Sequence, residues 1–309
     1  MISDVLLAAF GLALFALIVT AAMSPLETLS WWAGWTDEEL GQEPPPPVTE
    51  PDGDRRYIVY LSGVASISGR FLLPREKAFI RRLRTRFPDA VVVSDVFPYA
   101  PSGMPLLEAP RLFDQLWRRV QALEIYGRPT ILSALINMRN IFQVLVSADH
   151  RYGPIFNQGA ARVIENALIV DGYVRGCGAA VAIIGYSGGA QVAVGAAGFL
   201  KARLGAPIDI IAIGGVVASD PGLKYVRKLH HIVGDRDRIE KVGAFLFPER
   251  WKAMGFSDWN AARRDGRLEI HPLARMTHAG VRGYFGRVPV NGVSNAERTL
   301  EKVAALIAA

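Results

Sequence analysis

From Arg56 onward, short apolar stretches rich in β-branched residues alternate with segments of helical periodicity. This alternation is typical of a mostly parallel sheet covered by helices on both faces. Several of the stretches are apolar throughout, as strands buried on both faces must be. The predicted strands are 57–61, 90–95, 179–184, 208–213, 228–233 and 268–272.

The size of the chain favours one α/β domain, which we place over residues 55–309. The chain has 309 residues, of which 50% are hydrophobic, and α/β folds of this size commonly form a single domain. The single cysteine, Cys177, excludes an internal disulfide framework. The predicted helices are 74–86, 106–123, 160–171, 188–204 and 295–308.

The N-terminus carries an uncharged apolar run from Val5 to Met23. The run is close to the ~20 residues that a helix needs to cross the hydrocarbon core of a bilayer. A cleaved signal peptide is the alternative, but no Lys or Arg precedes the run, and the run exceeds the usual ~7–15 apolar residues of a signal peptide. We therefore predict a transmembrane anchor over residues 1–24.

Residues 25–54 are predicted to link this anchor to the α/β domain. Three tryptophans between residues 31 and 35 suit the headgroup layer, and the proline run 44–47 forms a stiff spacer. No Lys or Arg occurs before Arg55, so the positive-inside rule favours a non-cytoplasmic location for the domain.

The formal net charge of +6 does not indicate a nucleic-acid-binding protein. Basic residues are interspersed with acidic ones, and no zinc-finger or RNA-binding motif accompanies them. One segment, 75–86, combines apolar Phe79, Ile80 and Leu83 at helical spacing with a basic opposite face. A solvated helix face is the favoured interpretation, and a surface for anionic lipid is the alternative.

The connection between the predicted strands 90–95 and 179–184 is far longer than one helix requires, and we predict a cap insertion over residues 100–175. Its middle, 131–147, is almost as apolar as the N-terminal run. A second transmembrane helix would put Arg139 near the bilayer centre and would separate consecutive strands of one sheet. Two interpretations remain, a buried core helix and a cap with an apolar surface.

The sequence IIGYSGGAQVA, residues 183–193, places Ser187 two residues from a glycine on either side. The pattern alone is weak, but an apolar strand precedes it and small residues suited to a helix follow it. A sharp strand-to-helix turn strains the backbone of the serine and lifts its hydroxyl clear of the sheet. Ser187 is therefore a candidate nucleophile, and it lies at a helix N-terminus that favours a developing oxyanion.

A neutral serine needs a histidine base and an acid that orients the imidazole. Among the five histidines, His278 is the best candidate, because it lies just beyond the last strand in a loop that can reach Ser187. His150 lies in the long insertion. Packing or sheet-surface roles are favoured for the histidines of the predicted strands, His230, His231 and His271.

The candidate acid is Asp237, in the GDRD turn after the predicted strand 228–233. Asp235 of the same turn is an alternative, but an aspartate beside glycine often only shapes the turn, and Asp237 reaches further across the loop. Asp220 is a second alternative, although its Asp-Pro-Gly setting favours a turn role.

Ser187, Asp237 and His278 each follow a predicted strand, in the chain order Ser, Asp, His, and in this the chain resembles the α/β-hydrolase superfamily. The resemblance runs from about Arg56 to the C-terminus. It is carried by the GYSGG and GDRD turns and by the GYF sequence after the histidine loop. It implies the α/β-hydrolase fold, a mostly parallel doubly wound sheet with a helical cap.

In that superfamily the turn after the first strand of the core supplies a second oxyanion N–H, often within a His-Gly pair. Here Ser62 stands in place of the histidine. The resemblance implies that the N–H groups of Gly188 and Val64 form the oxyanion hole.

The resemblance also implies acyl transfer to water without a cofactor or a metal. The anchor and the apolar insertion favour a hydrophobic ester or lipid substrate, so a membrane-anchored carboxylesterase or lipase-like serine hydrolase is the leading hypothesis. One alternative is a non-catalytic protein of the same fold that binds an apolar ligand or a membrane partner. The other is a thioesterase, peptidase or acyltransferase with the same catalytic residues. The sequence predicts no particular oligomeric state.

Overall fold

The computed structural model describes residues 55–66, 72–100 and 131–309, together with the single positions Gly11, Phe15, Val19 and Leu26. Apart from those four positions, the predicted anchor 1–24 and linker 25–54 lie outside the described residues. The predicted helix 106–123 lies outside them as well. Within the described part of the chain, no helix is both long enough and apolar enough to cross a membrane.

A parallel sheet of six strands forms the centre of the described domain. The strand order is β2-β1-β3-β4-β5-β6, and every neighbouring pair is parallel. The observed ends lie within two residues of the predicted ones, which confirms the α/β expectation, and the architecture fits the α/β-hydrolase fold. The strands are β1 (Tyr57–Leu61), β2 (Val91–Val96), β3 (Val181–Tyr186), β4 (Ile208–Ile213), β5 (Lys228–Gly234) and β6 (Leu268–Leu273).

Helices cover both faces of this sheet. The helices α1 and α7 pack on one face through residues such as Phe79 and Val303, and α3 and α4 pack on the other through Phe156 and Leu200. The helices are α1 (Pro74–Arg86), α2 (Ile131–Ala148), α3 (Gly153–Val170), α4 (Gly188–Leu204), α5 (Arg238–Leu246), α6 (Asp258–Arg264) and α7 (Asn295–Ala308). A short hairpin, β7 (Pro289–Val290) and β8 (Val293–Ser294), precedes α7.

Three helices begin where the sequence analysis did not place them. The helix α3 starts at Gly153 rather than at residue 160, because Pro154 suits the first turn of a helix. The short helices α5 and α6 were not predicted. Each begins at a side-chain cap, Asp237 for α5 and Ser257 for α6.

The helix α2 lies in the long insertion and packs against α4. It buries Arg139, Asn140 and Gln143 and exposes about half of Ile141 and Leu145. The helix is therefore built into the domain through polar groups rather than through an apolar face alone. The boundaries of the predicted cap, 100–175, stay a prediction, because residues 101–130 lie outside the described ones.

The sheet topology determines where a site can form. The chain passes from β1 outward to β2 and then returns to β3 on the other side of β1. In an open parallel sheet, such a reversal opens a crevice outside the carboxyl ends of the strands. The loop after β1 and the turn after β3 meet at this crevice.

Candidate active site

Ser187 occupies a strained turn between β3 and α4. Its φ of 54° and ψ of −122° are unusual for a residue with a side chain. A Cβ on Gly185 would lie 2.5 Å from the Cα of Ala190, and one on Gly189 would lie 2.6 Å from the carbonyl oxygen of Ser62. The two glycines of the motif are thus required by close backbone approach, and the turn has the form expected of a nucleophile elbow.

His278 lies between Ser187 and Asp237. Its Nε2 is 2.9 Å from Ser187 Oγ, and its Nδ1 is 2.9 Å from Asp237 Oδ2. An ionised carboxylate only accepts hydrogen bonds, so the proton is on Nδ1 and the lone pair of Nε2 faces the serine hydroxyl. The structure therefore brings the three candidate residues into one hydrogen-bonded chain.

The ring of Tyr186 supports the imidazole of His278. The two rings stack with centroids 5.6 Å apart and planes at 22°, and the Tyr186 hydroxyl donates a 2.9 Å hydrogen bond to the carbonyl oxygen of His278. Tyr186 thus holds both the ring and the backbone of the histidine, one residue before the nucleophile.

Asp237 is fully buried at the start of α5. Its Oδ1 accepts hydrogen bonds from the N–H groups of Ile239 and Glu240 at 2.9 and 3.0 Å. Burial by itself would raise its pKa, but the hydrogen bonds from His278, from the helix N-terminus and from Tyr284 lower the pKa below its ordinary value. The acid is therefore ionised at neutral pH, and both of its oxygens accept hydrogen bonds that fix its orientation.

Tyr284 is a part of the site that the sequence analysis did not assign. Its hydroxyl donates to Asp237 Oδ2 at 2.8 Å and accepts from the N–H of Gly234 at 2.7 Å. Burial and the neighbouring carboxylate raise the pKa of Tyr284, so it remains a hydrogen-bond donor. The only signal in the sequence was the GYF stretch after the histidine loop.

The predicted oxyanion donors lie on facing segments. Gly188 is the first residue of α4, so its N–H has no acceptor within the helix. A Cβ on Gly188 would lie 2.9 Å from Val64 Cγ1 and 2.6 Å from Val144 Cγ2. The position beside Gly188 is therefore narrow, bordered by two valine side chains and, at 3.4 Å, by the Tyr99 hydroxyl. The donor roles of Gly188 and Val64 stay predictions.

Two buried side chains connect that loop to its neighbours. The Nδ2 of Asn140, in α2, donates to the carbonyl oxygens of Val64 and Ser66 at 2.7 and 2.8 Å. The hydroxyl of Tyr99 donates to the carbonyl oxygen of Ser62 at 2.6 Å and accepts from the N–H of Gly189. The loop after β1 is thus hydrogen-bonded to α2 on one side and to the elbow on the other.

The alternative acids lie elsewhere. Asp235 accepts a 3.1 Å hydrogen bond from the N–H of Met276, so it shapes the loop that carries His278. Asp220 caps a short 3-10 helix, accepting from the N–H of Gly222 at 2.7 Å and from Gln191 at 3.0 Å.

The other histidines have environments of their own. His150 is exposed, with Nε2 3.6 Å from a carboxylate oxygen of Glu249. His231 is fully buried, and its Nε2–H donates to the carbonyl oxygen of Gly215 at 3.1 Å. His230 and His271 face each other across β5 and β6 with ring nitrogens 3.0 Å apart.

No family model and no curated protein matches the chain. Among solved structures, the chain is similar to a dienelactone hydrolase-like promiscuous phosphotriesterase from metagenomic libraries. The two are 14% identical, the match covers 83% of this chain and 87% of that chain, and the TM-score is 0.43. A likeness of this degree supports no statement about activity.

Proposed function

We propose that the chain is a serine hydrolase that cleaves a carboxylic ester of a hydrophobic acyl group. The observation that carries the proposal is the pair of 2.9 Å hydrogen bonds that join Ser187 to His278 and His278 to Asp237. It begins at a strained strand-to-helix turn, where the hydroxyl stands at a helix N-terminus. These are the geometric requirements of an activated nucleophile.

In the acylation step, Ser187 Oγ attacks the ester carbonyl while His278 Nε2 takes the hydroxyl proton. Asp237 stabilises the resulting imidazolium and keeps the proton of Nδ1 in place. The N–H groups of Gly188 and Val64 bind the oxyanion. When the tetrahedral intermediate collapses, His278 gives its proton to the departing alkoxide, and the acyl group stays on Ser187.

In the deacylation step, a water molecule attacks the acyl-enzyme. His278 accepts a proton from the water and then returns it to Ser187 Oγ. The products are the carboxylic acid and the alcohol, and the enzyme regains its starting protonation state. The mechanism routes every proton through one imidazole.

A hydrophobic substrate is supported by the apolar surface beside the site. Val64 and Val144 border the position beside Gly188. The helix α5, which begins next to Asp237, exposes four large apolar side chains by 48–72%: Ile239, Val242, Phe245 and Leu246. Exposed apolar groups clustered on one helix are typical of surfaces that meet an apolar ligand or a membrane. The uncharged run from Val5 to Met23 supports the further proposal that the enzyme is anchored in a membrane.

The test is labelling of the full-length chain in mild detergent with a fluorophosphonate probe, which reacts with activated serines. We expect wild type and Ser94→Ala to label, because Ser94 lies on β2 away from the elbow, and Ser187→Ala and His278→Ala not to label. Labelling of Ser187→Ala would overturn the proposal. An unlabelled wild type would favour the non-catalytic binding protein.

Substrate class is tested with matched p-nitrophenyl esters and thioesters of increasing acyl length. We expect kcat/KM for the esters to rise with chain length. A higher kcat/KM for thioesters at every length would favour a thioesterase instead.

A further inference from the structure

Two histidines and a glutamate, residue types that bind metal ions in proteins, lie close together within β5 and β6, apart from the candidate active site. His230 of β5 is paired in register with Glu269 of β6, and His271 follows Glu269 by two residues. Side chains two residues apart point to the same face of a strand. The two imidazoles and the carboxylate therefore share one face of the sheet, away from Ser187.

The distances in this cluster are those of a ligand set. His230 Nδ1 and His271 Nε2 are 3.0 Å apart, and Glu269 Oε2 is 3.7 Å from each of them. Nitrogen and oxygen ligands bind Zn²⁺ at about 2.0–2.2 Å, so two ligands of one ion lie at most ~4.4 Å apart. One cation can thus contact all three atoms with small side-chain movements.

The carboxylate is already oriented by a neighbour. Lys228 Nζ lies 2.5 Å from Glu269 Oε1, which leaves Oε2 on the side of the two imidazoles. Hydrogen bonds of this kind to a ligating carboxylate orient it and support metal affinity.

The two imidazoles are largely enclosed by the protein. Their side chains are only 12% and 15% exposed. The positive charges of Lys228 and Lys302 and the negative charge of Glu269 act on both rings. An ion between the rings would therefore be largely shielded from solvent.

We propose that His230, Glu269 and His271 bind a divalent transition-metal ion of the Zn²⁺ class, with water completing the coordination. Imidazole and carboxylate ligands suit Zn²⁺, Ni²⁺ and Co²⁺. In the free protein one ring donates its N–H across the 3.0 Å contact to the other. On binding, that ring shifts its proton to its outer nitrogen, so both facing lone pairs bind the metal and no proton is released.

The ion would cross-link the strands that lead to Asp237 and His278, and its role would be structural. It takes no part in the proposed acyl transfer. The competing interpretation is that the two histidines only share a hydrogen bond.

The experiment uses the full-length chain without a histidine tag, stripped with a chelator and titrated with Co²⁺, whose visible absorption reports its ligand field. We expect one Co²⁺ per chain, displaced by Zn²⁺. We expect His230→Ala, His271→Ala and Glu269→Gln each to lower the affinity at least ~10-fold. The control is His150→Ala, which removes an exposed histidine near a carboxylate and should leave the titration unchanged.

Two further measurements separate specific binding from adventitious binding. Zn²⁺ should raise the thermal unfolding midpoint of wild type and of His150→Ala, but not of Glu269→Gln, whose exposed substitution leaves folding intact. Lys302→Ala should tighten Co²⁺ binding by about 2- to 5-fold, since it removes a repelling charge. A titration unchanged in the three ligand variants, or lost in His150→Ala alone, would overturn the proposal.

Discussion

The strands β5 and β6 carry two carboxylate–histidine clusters that differ in construction. Beyond the carboxyl ends of the strands, Asp237 is fully buried and lies 2.9 Å from His278. In the strand bodies, the Glu269 side chain is 46% exposed and lies 3.7 Å from two imidazoles. The first cluster aligns one imidazole between an acid and a hydroxyl. The second places two imidazole nitrogens and one carboxylate oxygen within 3.7 Å of one another.

The difference follows from where each cluster lies on the sheet. Loops beyond the strand ends can turn toward one another, so groups from β3, β5 and β6 meet at one imidazole. Side chains within the strands point to one face of the sheet or to the other, so neighbours on one face come close together. The loops therefore allow the directional alignment that a proton transfer needs, whereas a proposed cation, which accepts ligands from several directions, needs only neighbours on one face.

The largest expected effect is on the hydrogen-bonded series of Ser187, His278 and Asp237. Asp237→Asn keeps the shape of the side chain but removes the charge that favours the proton on Nδ1 of His278. We expect kcat to fall by about 10⁴-fold, as loss of the orienting acid does in such sites. Steady-state kinetics on a p-nitrophenyl ester measure the loss. Asp235→Asn is the matched control and should stay within a few-fold of wild type. A larger loss in Asp235→Asn than in Asp237→Asn would reverse the assignment.

The next effect concerns the proposed oxyanion hole. Asn140→Ala removes both hydrogen bonds to the loop of Val64. If the N–H of Val64 is an oxyanion donor, as we propose, we expect kcat to fall about 10- to 100-fold with little change in KM, because that N–H is no longer held in place. Asn137→Ala, one turn earlier in α2, is the control for effects on the helix itself. A proportional rise in KM with unchanged kcat would show that Asn140 supports substrate binding rather than the transition state.

A smaller effect concerns the buried histidine of β5, His231, and the dependence of stability on pH. Burial lowers the pKa of His231 to about 3, with Arg250 acting in the same direction. In the unfolded chain His231 binds a proton below the ordinary histidine pKa, whereas in the folded chain it stays neutral until about pH 3. Between these two values the unfolded state binds more protons, so the free energy of unfolding falls as the pH drops. We expect the free energy of unfolding to be lower by about 1.2 kcal/mol at pH 5.5 than at pH 7. Denaturant unfolding across pH measures it.

His231→Gln keeps an N–H donor for the carbonyl oxygen of Gly215 but does not titrate. The free energy of unfolding of His231→Gln should therefore depend less on pH between pH 7 and pH 5.5 than that of wild type. His150→Gln, which changes an exposed histidine, should keep the wild-type dependence. Parallel profiles for wild type and His231→Gln would contradict the account.

An effect of similar size concerns the support of the acid. Tyr284→Phe removes one hydrogen bond to Asp237 and one acceptor for Gly234, at a cost of about 1–2 kcal/mol in the free energy of unfolding. The pKa of folded Asp237 is below its ordinary value, so this carboxylate stabilises the fold above that ordinary pKa and ceases to do so as the pH falls through the folded pKa. The variant should raise the pKa of Asp237, so its acid unfolding should begin at higher pH. Phe285→Leu, a change in apolar packing alone, should lower stability without moving that pH.

Much of the fold could be predicted because its signals are local. The bounds of β1, β4, α1, α4 and α7 agree with the predicted segments, since apolar runs and helical periodicity are set by neighbouring residues. The short helices α5 and α6 were missed because each is less than three turns long and begins at a polar cap that also suits a turn. The role of Asn140 could not be predicted, because a single amide in an apolar helix does not indicate which distant backbone groups it will hydrogen-bond.

By itself, the sequence determined the alternation of strands and helices, the glycines that the elbow requires, and the order in which serine, aspartate and histidine follow their strands. Only the tertiary structure decided that Asp235 shapes a loop while Asp237 meets His278, that Tyr284 and Asn140 support the site, and that His230 and His271 face one carboxylate. Backbone periodicity is encoded by residues a few positions apart. The contacts of a polar side chain depend on which distant segments the sheet brings beside it, and no local pattern contains that information.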